Sequence, residues 1–257
     1  MARDPQGGAS SVSIVTAPYD ISIVIPTLAD DAALVSLLST IRHWPRQPRE
    51  IIVADGASNN AVRSACARYA ARWLPSVPGR SVQLMKGASR ASGSVLWFLH
   101  VEGSPDPDSI QAIIESVDSG ASGGCFTFRF NGRPQPIKSL LEQCIAWRVR
   151  FGLPDIDHGL YLTREAFDVC GGFASTPLFE EVPLLKGLQR QGRFDVLTLS
   201  ILVSDRRWQR DGWLMRTLSN RLLALGFVLG IPPARLARWF GRGRAADSEV
   251  AERRARA

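Results

Sequence analysis

Four short stretches of this chain carry residue types able to do chemistry. "LHVEG" places His100 and Glu102 just after the apolar run 95–99, and "ADGAS" closes another apolar run with Asp55 and Gly56. "FEEV" sets Glu180 beside Glu181, and "SDRRW" sets Arg206 and Arg207 against Trp208. A carboxylate at the end of a buried strand offers the hard oxygen that Mg²⁺ or Mn²⁺ prefers. Paired arginines match phosphate oxygens, or form a surface salt-bridge patch. An acid pair opening a helix either moves a proton or only complements the helix dipole.

The elements around these stretches say how they are positioned. Continuous apolar, β-branched runs predict buried strands at 21–26, 49–55 and 93–100, with a further strand at 81–85. Helical spacing predicts helices at 30–44, 60–74 and 106–118. Strands alternating with helices of this length imply right-handed βαβ units and a parallel sheet. Ligands of such sheets sit at the carboxyl ends of the strands. Pro26-Thr27, Asp55-Gly56 and His100-Val101-Glu102 are therefore expected to converge on one cleft. The second half differs. A strand with one wet face is predicted at 123–130 and an amphipathic helix at 136–152. A short strand and helix turn ending in Gly-Gly follow at 157–173, then a helix at 177–192 and a strand at 194–204.

The order of these motifs resembles the family-2 glycosyltransferases, from about residue 21 to about residue 240. The residues that carry the likeness are a strand ending in Pro26-Thr27, "ADGAS", "HVEG", "GGF" (171–173) and the acidic pair before a helix. Within that family the chain looks most like a small bacterial single-domain subgroup often named for arsenosugar biosynthesis. The resemblance implies an α/β fold of the GT-A type, a mostly parallel mixed sheet flanked by helices. It implies an inverting transfer from a nucleotide-diphosphate sugar to an acceptor hydroxyl on a small molecule or lipid. Pro26, Thr27, Asp55 and Gly56 would frame the base, and Arg206, Arg207 and Trp208 would hold the diphosphate and stack under sugar or acceptor. Glu102 would ligate Mg²⁺ or Mn²⁺, Glu181 would be the general base with Glu180 beside it, and Asp157-His158 would lie in the acceptor region. The chain departs from the subgroup at Met85-Lys86, where Asn-Ala is usual, and at Glu102 and Glu181, where Asp is usual. Those departures keep open a second reading, a member that binds nucleotide or a protein partner without turnover.

Composition limits the remaining choices. The chain has 257 residues, and its four cysteines show no paired short spacing, so metal-thiolate and redox motifs are not expected and a cytoplasmic site is. The formal charge of +7 is uneven: beyond position 204 there are twelve arginines, no lysine and five acids, and the rest is neutral. The apolar run 222–231 is too short to span a bilayer, which takes about 20 residues. Arginines and Trp239 around it suit a helix lying on the cytoplasmic face of a membrane, or the run is core packing. Nucleic-acid binding is not expected, because aromatic and basic residues do not interleave. The expected organisation is a flexible tail at 1–19, the transferase domain at 20–210, amphipathic helices at 211–241 and a disordered basic tail at 242–257.

Overall fold

The computed structural model describes residues 19–150, 154 and 156–240. The two predicted tails lie outside these residues, apart from Tyr19. One eight-stranded sheet forms the middle layer, in the order β3-β2-β1-β4-β7-β6-β8-β5. β1 (Ile21–Thr27) pairs in parallel with β2 (Glu50–Asp55) and β4 (Val95–Phe98), and β2 pairs in parallel with β3 (Arg72–Pro75). β7 (Tyr161–Thr163) runs antiparallel to both β4 and β6 (Ala121–Phe130). β8 (Arg193–Val203) is parallel to β6, and β5 (Gly103–Pro105) is antiparallel to β8. This is the mixed α/β sheet of the GT-A type.

Each face of the sheet has its own core. On one face α1 (Asp31–Arg42), α2 (Asn60–Arg68), α4 (Ser109–Asp118) and α5 (Pro136–Arg150) pack on Ile23, Ile25, Trp97 and Phe126. Trp97 stacks between Trp44 and Phe126, with ring centroids 5.8 and 5.4 Å away. On the other face α3 (Arg80–Arg90), α6 (Arg164–Val169) and α7 (Val182–Gln191) cover Val24, Leu96, Phe98 and Leu162.

Two sequence expectations are corrected here. Residues 81–85 are not a strand; they belong to α3. Ser81, Leu84 and Ala88 face inward at helical spacing, and Gly87 lets the helix lie directly on β1, where a Cβ would collide with Val24. The third strand lies earlier, at Arg72–Pro75, where a helix to residue 74 was expected. α2 stops at Arg68, and Ala70 at φ 53° reverses the chain so that its last segment pairs with β2. A left-handed residue of this kind ends a helix that side-chain spacing alone would extend.

Gln83 is 3% exposed, and its Nε2 donates to the carbonyls of Thr27 and Ala54, both at 2.7 Å. With the Gly56 N–H on Thr27 O at 2.9 Å, it fixes the ends of β1 and β2 to each other. A second buried tie holds the C-terminal segment. Lys138 on α5 pairs with Asp205, the residue before α8 (Arg206–Asp211), at 2.6 Å with side chains 5% and 12% exposed. Burial works to raise the Asp205 pKa, but the hydrogen bond and charge of Lys138 outweigh it and hold the carboxyl below its usual range.

Replacing Gln83 by Leu is expected to leave the Thr27 carbonyl with the Gly56 N–H alone and to take this donor from the Ala54 carbonyl. Loss of a buried partner costs about 1–3 kcal/mol, so a loss of about 2 kcal/mol is predicted. In a chain of this size that is a fall of about 4–8 °C in Tm, measurable by calorimetry.

Candidate active site

The strand ends do meet. β1 and β2 finish side by side at Thr27 and Asp55, and β4 lies next to β1 through the Leu99 N–H on Val24 O at 3.0 Å. Thr27 is 2% exposed, and Pro26 opposes Ala54. Asp55 is fully buried, and its carboxylate accepts from Ala57 N (3.0 Å), Asn59 N (2.7 Å) and Trp73 Nε1 (3.1 Å). Three donors of its own chain thus hold it, and it shapes the turn after β2 while tying that turn to β3. Gly56 leaves the backbone bare there, with the Gln83 amide 3.2 Å from where a Cβ would be.

Glu102 lies in the turn after β4 and is partly exposed. Its backbone N–H donates to His100 Nδ1 at 3.2 Å, so that ring nitrogen serves the turn. The next residue, Gly103, opens β5 and pairs with Val203 at the end of β8. This pairing brings the segment 204–208 beside the Glu102 turn. Arg206 is exposed at the start of α8, and the side chain of Arg207 lies outside the described residues. Trp208 packs edge-on to Phe130 with centroids 4.9 Å apart and lies 6.4 Å from Trp213. It is half-buried and packs against the end of the core here. Among the described residues no three His, Cys, Asp or Glu side chains gather as a metal cage.

The acid pair forms the second station. Phe179 at φ 59° turns the chain into Glu180 and Glu181, which are 1% and 5% exposed. Glu181 is the residue before α7 and makes no side-chain capping bond to it, so capping does not account for its place. Glu180 accepts from Arg80 Nε at the start of α3, a hundred positions earlier. Burial opposes the charge on Arg80, but Glu180 first, then Asp157 and Glu181, outweigh it and lift its pKa well above the ordinary value. Arg80, Asp157, Glu180 and Glu181 therefore form one electrostatic unit. Sequence reasoning missed Arg80, since nothing local distinguishes it from any arginine in a first helical turn.

Asp157-His158 reaches this unit because Gly159 takes φ 62° and packs against Trp97, Phe126 and Ile201, where any side chain would clash. The Phe98 N–H then bonds Leu160 O at 2.8 Å, which sets the pair beside the end of β4. His158 is 1% exposed and packs 5.6 Å from the Phe128 ring, on the wall of an apolar crevice of about 290 Å³. Met85 and Lys86, the two unusual residues of α3, are both engaged. The Met85 sulfur accepts from Phe173 N at 3.2 Å, under the Gly171-Gly172 turn, and Lys86 Nζ donates to Pro75 O.

Comparison with known proteins bears on this arrangement. No curated protein matches the chain by sequence. The fold is similar to glucosyl-3-phosphoglycerate synthase from Mycobacterium tuberculosis in complex with Mn²⁺, UDP-glucose and phosphoglyceric acid. That likeness has a TM-score of 0.61 at 18% identity, over 90% of this chain and 86% of that one. The same enzyme with Mn²⁺, UDP and glucosyl-3-phosphoglycerate gives 0.60 at 18% identity, over 90% and 88%. A structure described only as a mycobacterial protein gives 0.52 at 19%, over 73% and 66%. Identities this low speak for the fold alone. The profile of Glycosyl transferase family 2 matches residues 22–177, more than half of the sequence, and the chain belongs to that family.

Proposed function

We propose that this glycosyltransferase inverts the anomeric centre of a nucleotide-diphosphate sugar and uses Glu181 as its base. The observation that carries the reading is the Arg80–Glu180 pair and its coupling to Glu181 and Asp157. Glu180 is committed to Arg80, so the proton falls to its neighbour. Glu181 takes the proton from the acceptor hydroxyl as that oxygen bonds to the anomeric carbon. The bond from that carbon to the diphosphate breaks on the opposite face, and the nucleoside diphosphate leaves with the electron pair. Base and leaving group on opposite faces are the geometry of inversion at a sugar.

Donor binding follows from the first station. The turn after β2, with Pro26, Thr27, Gly56 and the loop fixed by Asp55, frames the base. Arg80 donates to Glu180 through Nε, and its side chain is 32% exposed. The rest of its guanidinium fork is the proposed donor to diphosphate oxygens, with the arginines of the 206–207 motif as further donors. Glu102, a partly exposed hard carboxylate in the turn after β4, would hold a Mg²⁺ or Mn²⁺ that takes its other ligands from phosphate and water. When bound, such a cation neutralises the departing diphosphate as a Lewis acid. The Mn²⁺, UDP and UDP-glucose held by the structurally similar synthase support this reading and make UDP-glucose the first donor to test.

The C-terminal segment is proposed to rest on the cytoplasmic face of a membrane without crossing it, and the acceptor to be a small molecule or a lipid. All four cysteines are free thiols, in keeping with a reducing compartment. Among the described residues no helix is long and apolar enough to span a bilayer, and the charge excess of +7 sits in this segment.

Four substitutions test the chemistry and the ion pair behind it. Glu102→Ala is expected to abolish Mn²⁺-dependent binding of UDP-glucose, and calorimetry showing unchanged metal-dependent affinity would refute the metal role. Glu181→Gln is expected to cut turnover at least about a hundredfold with donor affinity nearly unchanged. Turnover kept in that variant would reject Glu181 as base. Arg80→Met should destabilise by about 3 kcal/mol, since it strands a buried carboxylate. Glu180→Gln should cost less, because the partly exposed Arg80 regains water; equal losses in thermal melts would contradict the pairing.

A further inference from the structure

The helix α9 (Trp213–Val228) has two unlike faces. Leu214, Leu218, Leu222 and Leu225, continued by Leu229, recur every three or four residues and are between 48% and 78% exposed. That spacing places them on one stripe. The opposite face is engaged. Gly226 admits Leu236 of α10 (Pro233–Phe240), and Trp213 lies edge-on to Phe130 at 5.2 Å. Phe227 stacks on Phe179, with centroids 4.4 Å apart and planes 23° from parallel. Phe179 is the left-handed residue that turns the chain into Glu180 and Glu181, and its carbonyl accepts from Val182 N at 3.2 Å. The exposed stripe is thus one helix diameter from the support of the acid pair.

Charge decides what covers the stripe. From Trp213 to Phe240 there are four arginines and no acid. A second copy meeting it across a two-fold axis would set arginine against arginine. An anionic bilayer accepts an apolar stripe without directional demands and attracts the exposed Arg221, Arg235 and Arg238, Arg216 being paired with Asp211 at 3.1 Å. Exposed Trp239 suits the same boundary. A helix of this length lies flat over about 24 Å.

We infer that α9 couples the membrane to the acid pair: seated on an anionic lipid surface, it holds Phe227 against Phe179 and fixes the loop that carries Glu180 and Glu181. The acceptor is then an amphiphile resident in that surface, reached only by enzyme whose base is in place. This rests on the membrane attachment and the Glu181 base proposed above.

The test uses the full chain and vesicles of phosphatidylglycerol, so it needs no knowledge of donor or acceptor. At low salt the protein should float with the vesicles. Amide exchange should slow by about tenfold or more in α9 and also in the loop 174–185. Leu218→Ser with Leu222→Ser, both at exposed positions, should weaken vesicle binding at least about tenfold without lowering Tm, given the transfer energy of two leucines. Phe227→Leu should bind vesicles as the parent does but lose the slowing in the loop. Normal vesicle binding with unchanged loop exchange in the parent would overturn the coupling and leave the attachment standing. Binding unaffected by the leucine pair would show that another surface is used and overturn the inference. No flotation at low salt would remove the attachment itself, and the coupling with it.

Discussion

The amide of Gln83 is the bond on which the rest of the site depends. A parallel sheet presents its strand ends to ligand, but strand ends are also where ladder hydrogen bonds run out and backbone carbonyls need other partners. One buried side-chain nitrogen satisfies Thr27 and Ala54 together. The same contact crowds position 56, where a Cβ would stand 3.2 Å from the amide. A bare backbone at these strand ends thus suits the way β1 and β2 are joined. Asp55 then spends its charge on the following turn and on Trp73, so the third strand is fastened by the same few residues.

α3 carries this constraint across the molecule. Gln83 works at the strand ends, Arg80 one turn earlier reaches Glu180, and Met85 supports the Gly171-Gly172 turn. Gly87 allows the close approach to β1 that puts all three within reach. A displacement of α3 would therefore disturb the strand ends and the acid pair together. The ionic contact also separates two chemically identical neighbours. Arg80 engages Glu180 directly, and Glu181 lies in the field of the same cation. Like carboxylates placed side by side are made chemically unlike by such asymmetry.

Much of the fold could be read from the sequence. β1, β2 and β4 are apolar β-branched or aromatic runs closed by turn residues, and their alternation with helices implied a parallel start to the sheet. The error at 81–85 has a physical cause. Val82 and Leu84 alternate with polar residues, yet α3 buries Leu84 together with Ser81, Gln83, Gly87 and Ala88, small or polar residues that fit against β1. Hydrophobic period fails where packing is decided by small size. The acid pair and the Glu102 turn were visible as local motifs, but Arg80 was not, because its meaning comes from a residue a hundred positions away. Trp208 was visible as an aromatic beside two arginines, but its packing on Phe130 and Trp213 was not, because those partners lie on other elements.

The departures from the family pattern can now be weighed by what the residues do. Met85 and Lys86 are not remnants of a lost site. One accepts a hydrogen bond beneath a tight turn, and the other ties α3 to the end of β3. The two glutamates standing where aspartate is usual lengthen their arms by one methylene each, and both sit on turns with tight backbone constraints. Glu102 follows a His100-centred turn locked to β5, and Glu181 follows a left-handed Phe179 held by Phe227. A longer side chain on a rigid base can still place its oxygens accurately, because the added torsion is limited by its neighbours and not by the chain. Decay of a site would be expected to release such supports first, since nothing but function requires a buried carboxylate pair with its own arginine. A buried acid pair with its own arginine therefore fits a working transferase better than a non-catalytic relic.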